Sequence, residues 1–426
     1  MSLSFRSAGL RLEKLMTGAL PADVRRNMHT EVLVALAYGA FYACTIPFIP
    51  VVLRRLGATT DMLALYAALQ FLGSVTSSLS IIVMRRRRTM NVILACWFTA
   101  RALFVLVAFF QGAVALIALG AIFWLLEGFV IPGYTRILQK IYPDNVRGKV
   151  MSTVRMGQVT AILLVTPLAG WALDHIGYPV LFPLACILGL GSVLLFMRLR
   201  VDEGPLPPRQ TKTFAELGEI VRGDPRFRLY LFAFALFGLG TMLAWPVYPL
   251  VQVDRLQLSY STIGLLGLVE SIMWLLSYLI WGRFLDRRGG LAVMRATCAV
   301  SMLQPFFYIW AGSAWLLVPA FVARGIASGG FELGRINAGI QLADPERITE
   351  YAVIQSTTIG MRGIIAPLIS ALLLRFGLPP TGIFVLSVCC MVAAWVIFGF
   401  VKAPAPLPHL EVSQARWPFR MRMPRV

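Results

Sequence analysis

The chain repeats itself at an offset of about 200 residues, and the repeat runs through apolar sequence long enough to span a bilayer. Pro47-Phe48-Ile49-Pro50 returns as Pro246-Val247-Tyr248-Pro249, and Arg55-Leu56 returns as Arg255-Leu256. Farther along, Pro167, Leu168, Leu173, Gly177 and Pro179 are matched without a gap by Pro367, Leu368, Leu373, Gly377 and Pro379. Pro, Leu and Gly are common in membrane helices, but three matches at nearly one offset make chance a weak explanation. A duplicated helical bundle places a binding site between two halves that can rock against each other. That arrangement suits the passage of a solute.

Composition sets the solvent. Of 426 residues, 58% are hydrophobic and 14% charged, where a soluble domain carries roughly 25% charged. Most of the surface must therefore meet lipid, and helices pack on one another by close contact and internal hydrogen bonding. The net charge of +19 raises the possibility of nucleic acid, but its placement argues against that. Basic residues gather in the N-terminal arm (Arg6, Arg11, Lys14, Arg25, Arg26) and at Arg85-Arg86-Arg87-Arg88. They recur at Lys140, Arg147 and Lys149, from Arg198 through Arg228, at Arg283, Arg287 and Arg288, and in the tail (Lys402, Arg416, Arg420, Arg422, Arg425). The alternate connections Gln111-Gly112, Asp174-His175 and Ala311-Gly312 carry none. The positive-inside rule then puts both termini in the cytoplasm.

Cys44, Cys96, Cys186, Cys298, Cys389 and Cys390 lie in apolar stretches and read as small packing residues. His29, His175 and His409 are scattered, so no metal or cofactor is expected. The absence of an Asn-x-Ser/Thr sequon and the short connections suit a bacterial inner membrane. The first thirty residues are basic and mixed, an arm or interfacial helix rather than a cleavable signal.

About twelve segments approach the roughly 20 apolar residues a span requires. The first six are Glu31–Leu53, Asp61–Met84, Met90–Phe110, Ala113–Leu138, Val150–Leu173 and Tyr178–Leu199. The second six are Leu229–Val251, Ser261–Trp281, Leu291–Trp310, Ala314–Ala338, Tyr351–Arg375 and Thr381–Val401. The expected organisation is an arm over 1–30, a six-helix bundle over 31–200, a linker over 201–227, a second bundle over 228–402 and a tail over 403–426. The linker opens with Gly204-Pro205-Leu206-Pro207-Pro208, and its Phe214, Leu217 and Val221 fall at helical spacing beside Glu216 and Glu219. That pattern predicts a short amphipathic surface helix.

An all-α membrane protein of twelve transmembrane helices in two pseudo-symmetric six-helix bundles resembles the major facilitator superfamily, over nearly the whole chain. The sharpest local match is the connection after the eighth span, Gly282-Arg283-Phe284-Leu285-Asp286-Arg287-Arg288-Gly289. It resembles that family's G-x-x-x-D-R-x-G signature, which implies a latch between conformations. Gly282 would let helices approach, Gly289 would permit a tight turn, and Asp286 and Arg287 could meet helix-end amides and carbonyls. The first half departs from the signature: Met84 and the four arginines after it offer neither the glycine nor the aspartate, and read as orientation and anionic-lipid contact. The segment from Pro143 to Lys149 resembles the family's loop after the fourth span, with Pro345-Glu346-Arg347 as its counterpart. The family's glycine-rich motif in the fifth span is matched only at Pro167 and Gly170, so no export direction follows.

Ionisable residues at mid-membrane cost about 2.5 kcal/mol or more each on insertion scales, so each needs a reason. Arg101 in the third span, Glu127 in the fourth, Glu270 in the eighth, Arg324 in the tenth and Arg362 in the eleventh all count to mid-depth; Glu332, Arg335, Arg136 and Arg155 fall nearer the cytoplasmic ends. Burial favours a neutral carboxyl and a nearby arginine favours the carboxylate, so a rearranging pair can load and release a proton. Glu127 or Glu270 could serve so, with Arg324 and Arg362 binding an anionic group by a forked hydrogen bond. Fixed ion pairs that lock helices are the plainer reading, favoured for Arg101. The resemblance implies that the first, fourth, seventh and tenth spans line a central cavity. Tyr38, Tyr42 and Thr45, with Trp245 and Tyr248, could then face solute. Pro47, Pro50, Pro246 and Pro249 would kink the first and seventh spans at their outer ends. Gly325, Gly329, Gly330 and Gly334 predict close packing of the tenth.

The expectation is a secondary active transporter alternating access to one central site, coupled to protons and moving a small organic solute, anionic in the first reading. A multidrug-type efflux pump for lipophilic compounds and a lipid-moving protein of the same fold are the alternatives. No nucleotide-binding G-x-x-x-x-G-K-[ST] loop is present, and no constellation for a membrane enzyme is visible. The expected partners are solute, protons and membrane lipids, with the protein a monomer.

Overall fold

A computed structural model describes residues 21–73, 80, 83–84, 87–203, 214–344 and 347–402. The arm residues Arg6, Arg11 and Lys14, Arg85 and Arg86 of the arginine run, the Gly204-to-Pro208 stretch, Pro345-Glu346 and the tail lie outside the described residues.

Among the described residues every regular element is helical. Ten helices are long and apolar enough to cross a membrane: Asp23–Arg55, Thr89–Ala108, Ala113–Ile141, Val146–Ile176, Tyr178–Phe196, Pro225–Arg255, Tyr260–Ile309, Ala314–Leu342, Glu350–Arg375 and Pro380–Phe400. Tyr260–Ile309 holds two expected spans, because Gly289 breaks it with φ 77°. Thr60–Leu69 opens the expected second span. The described residues are thus consistent with twelve spans.

Two expectations about connections change. Gly282 to Arg288 continue the eighth span as helix, and only Gly289 turns the chain. Leu285, Arg287 and Arg288 are good helix formers, and the left-handed turn waits for the residue that adopts it without strain. Gly282 has nothing within 4 Å of where a Cβ would stand, so it brings no helices together here. Likewise Asp144 to Lys149 begin the fifth span's helix rather than forming a loop.

The prolines of the repeated Pro-x-x-Pro motif act as expected. The first span breaks after Thr45 and resumes at Ile49. The seventh ends its regular run at Leu243 and passes through a short turn at Tyr248–Leu250 into a π turn at Val251–Arg255. Proline removes the amide that would bond one turn back. The expected linker helix forms at Phe214–Gly223, packing Leu217, Ile220 and Val221 on the second half.

Both ends of the described chain lie at one face, called here the terminal face. There Asn27 Nδ2 donates to the Arg200 carbonyl at 3.2 Å. Glu203 accepts from the amides of Thr89 and Met90 at 2.6 and 3.0 Å, and Tyr351 Oη donates to Asp224 at 2.9 Å. The apolar core is divided by depth. At the opposite face one cluster joins the halves, from Phe41, Phe48, Leu63 and Phe104 through Leu243, Tyr260, Phe321 and Phe384. At the terminal face each half has its own, one around Trp97, Tyr142 and Phe196 and the other around Phe234, Met294 and Phe398.

Candidate functional site

The two halves meet around a cavity of about 300 Å³. All four motif prolines, Pro47, Pro50, Pro246 and Pro249, line it. Tyr42, Tyr66, Trp245, Tyr248, Trp274 and Phe321 form aromatic walls, and Gln70, Gln252, Glu270 and Arg324 supply the polar groups.

The charge in this cavity is one pair. Arg324 Nε lies 2.9 Å from Glu270 Oε1, and the two side chains remain 47% and 19% exposed. The eighth and tenth spans can hold the pair because glycine replaces bulk between them: a Cβ on Gly325 would overlap the Glu270 carbonyl. Gly329 and Gly330 meet Ser277, Trp281 and Thr297 in the same way, so the glycine-dense tenth span packs as its sequence predicts.

The other expected residues are not brought into this cavity. Arg101 and Glu127 do pair, at 3.3 Å, but inside the first half. Arg101 also donates to Ser192 Oγ at 3.0 Å and lies over the rings of Tyr38 and Trp97 at 4.7 and 4.8 Å. With its side chain 3% exposed, it joins the first, third, fourth and sixth spans, and Tyr38 belongs to that cluster. Arg362 is buried between the seventh and eleventh spans, donating to the Phe234 carbonyl with its guanidinium 4.2 Å from the Phe234 ring centroid. It does not join Arg324. Asp286 and Arg287 are exposed at the terminal face.

Three cross-half contacts were not legible in the sequence. Arg54, after the first span, forks onto Asp254, after the seventh, with both bonds at 2.9 Å. Arg375, ending the eleventh, forks onto Asp61, opening the second, at 3.0 and 2.8 Å. Asp174, ending the fifth, accepts from the amides of Tyr260 and Ser261 at the start of the eighth, at 2.9 and 2.7 Å. A signal existed: Arg54, Arg55, Arg255 and Arg375 interrupt the side otherwise poor in basic residues. Each has a partner, since Arg55 donates to the Leu258 carbonyl and Arg255 to the Ile309 carbonyl. Nearer the terminal face Arg155 of the fifth span approaches Glu332 of the tenth at 3.7 Å, and Tyr278 donates to that same carboxylate.

The comparisons agree with this architecture. The family model described as Major Facilitator Superfamily matches residues 32–343 and 230–422. Multidrug resistance protein MdtG of Salmonella arizonae is 26% identical over 325 residues, covering 73% of this chain and 79% of that one. Its Salmonella typhi counterpart is 27% identical over the same coverage. Among solved structures, the nucleoside transporter NupG superposes with a TM-score of 0.70 at 14% identity, over 88% of this chain and 99% of its own. A bacterial homologue of the human lysosomal transporter Spinster superposes at 0.59 with 12% identity, over 90% and 96%. This chain is a multi-pass membrane protein that belongs to the Major Facilitator Superfamily of transporters.

Proposed function

We propose that the chain is a proton-coupled secondary transporter of the bacterial inner membrane, with its terminal face in the cytoplasm, that moves small lipophilic organic compounds bearing a polar group. The observation that carries this reading is the Glu270–Arg324 pair exposed in an aromatic cavity between the halves. Aromatic walls give apolar area without fixed hydrogen-bond demands, which suits varied compounds. The relatives named as multidrug resistance proteins support export of such compounds. Because Glu270 already neutralises Arg324, a solute anion would have to displace a carboxylate 2.9 Å away. The anionic solute of the first reading therefore stands second.

Coupling follows from the same pair. A carboxylate beside an arginine holds its charge, and the same carboxyl, once parted from it in a low-dielectric site, takes a proton. If a bound solute or a local rearrangement of the second half draws Glu270 away from Arg324, protonation and access are linked.

The test is a thermal-shift screen of purified protein against lipophilic cations, neutral drugs and organic anions at two pH values, since ligands that bind the folded state raise its midpoint. Lipophilic hits that persist in Arg324→Ala support the proposal. Anionic hits lost in Arg324→Ala overturn it in favour of an anion carrier.

A further inference from the structure

Arg295 stands apart from the other arginines inside the spans. It lies five residues past Gly290, ~7.5 Å along the ninth span at the helical rise, and so just beneath the terminal face. Its Nε is buried and has no hydrogen-bond partner. The ion pairs among the described residues all lie elsewhere. What holds it is the twelfth span: its guanidinium carbon sits 4.6 Å from the Trp395 ring centroid, and a Cβ on Gly399 would come within 3.0 Å of that carbon. One turn deeper, Cys298 Sγ donates to the Met391 carbonyl at 3.3 Å and pins the two helices together.

This seam faces outward. Arg295 shares a stripe of the ninth span with exposed Leu303, Phe306 and Trp310, while Val392, Trp395, Val396 and Phe400 are exposed along the twelfth. These are the faces that meet lipid. A guanidinium here, without a protein anion, remains costly until something satisfies it. The phosphate of a phospholipid lies at that depth and takes forked hydrogen bonds from arginine. Trp395 is the residue type that settles at the headgroup level. Arg295 enters none of the ion pairs among the described residues, and Lys402 follows the twelfth span within two residues, so the field favours a lipid of net negative charge. We propose that Arg295, stacked on Trp395 and nested against Gly399, binds the phosphate of an anionic phospholipid in the leaflet at the terminal face.

The experiment is a titration of the unfolding midpoint of the purified full chain in neutral detergent. Phosphatidylglycerol is the probe, with phosphatidylcholine and inorganic phosphate as controls. The wild type should show a saturable rise with phosphatidylglycerol and little with either control. Arg295→Gln should raise the half-saturating concentration about fivefold, the share of one juxtamembrane cation. Trp395→Leu, which keeps the charge, should raise it about twofold to fivefold. Lys140→Gln, an exposed cation of the other half at the same face, should leave it unchanged. Should Arg295→Gln not fold, Arg295→Lys, which keeps charge but not the fork, should give an intermediate shift. Identical titrations for wild type and the Arg295 and Trp395 variants would overturn the proposal. An equal response to inorganic phosphate would also overturn it, in favour of a soluble-anion site.

Discussion

At the scale of single residues, two Arg–Glu pairs of the same chemistry differ by what surrounds them. Arg101 and Glu127 are enclosed, with Ser192 and two aromatic rings completing the shell. Removing one member of a buried pair strands the other, which costs about 3–5 kcal/mol. Glu127→Gln is therefore expected to lower the unfolding midpoint of the purified protein sharply. Glu270 and Arg324 keep contact with the cavity, where water or solute can replace a lost partner. Glu270→Gln should instead leave the midpoint near wild type while abolishing pH-driven transport and preserving solute exchange. Normal gradient-driven transport in vesicles of this variant would remove Glu270 from coupling. Gly325→Ala joins the two concerns, because its methyl group meets the backbone beside Glu270. Overpacking of this kind costs about 1–3 kcal/mol, and it should part the eighth and tenth spans, weakening solute binding in the thermal-shift screen.

At the scale of elements, the spans and their breaks were legible because they are written locally, in runs of apolar residues and in Pro47, Pro50, Pro246, Pro249 and Gly289. The pairings within a half were half-legible: Glu127 and Arg101 lie on consecutive spans, so only their depth had to be read. Arg54 with Asp254 and Asp61 with Arg375 join residues 200 and 314 positions apart. Nothing local specifies such partners, since they exist only once the two halves are set side by side. The motif at Gly282 to Gly289 shows the converse, a sequence pattern of which Gly289 meets Gln341 of the tenth span while Gly282 stays open. Asp286 is exposed here, where a rearrangement of the halves can bring a partner to it. Asp286→Asn is accordingly expected to slow turnover in a transport assay while solute binding by thermal shift stays unchanged. Unaltered turnover would reduce the segment to a helix end and a turn.

At the scale of the whole molecule, apolar contact and charge divide the work of holding the halves. The shared core lies at the face opposite the termini, and the cores at the terminal face are separate. Forked pairs and the Asp174 cap ring the shared end. A rocking motion that opened this end would have to break them, and exposed pairs are suited to that, since each is worth only about 0–1 kcal/mol. Several such ties closed together bias the equilibrium between arrangements without freezing it, because a few kcal/mol is the usual gap between conformers. Neutralising three of them at once, in Asp61→Asn, Asp174→Asn and Asp254→Asn combined, should therefore shift the population rather than unfold the protein. The readout is a thiol at Ser271→Cys, which lines the cavity, in a background lacking the six native cysteines. A membrane-impermeant maleimide applied at the face opposite the termini should label this thiol slowly when the three aspartates are present. With all three neutralised, labelling from that side should rise several-fold, and labelling from the terminal face should fall in step. Equal rates in both backgrounds would mean that the apolar core alone keeps that end closed.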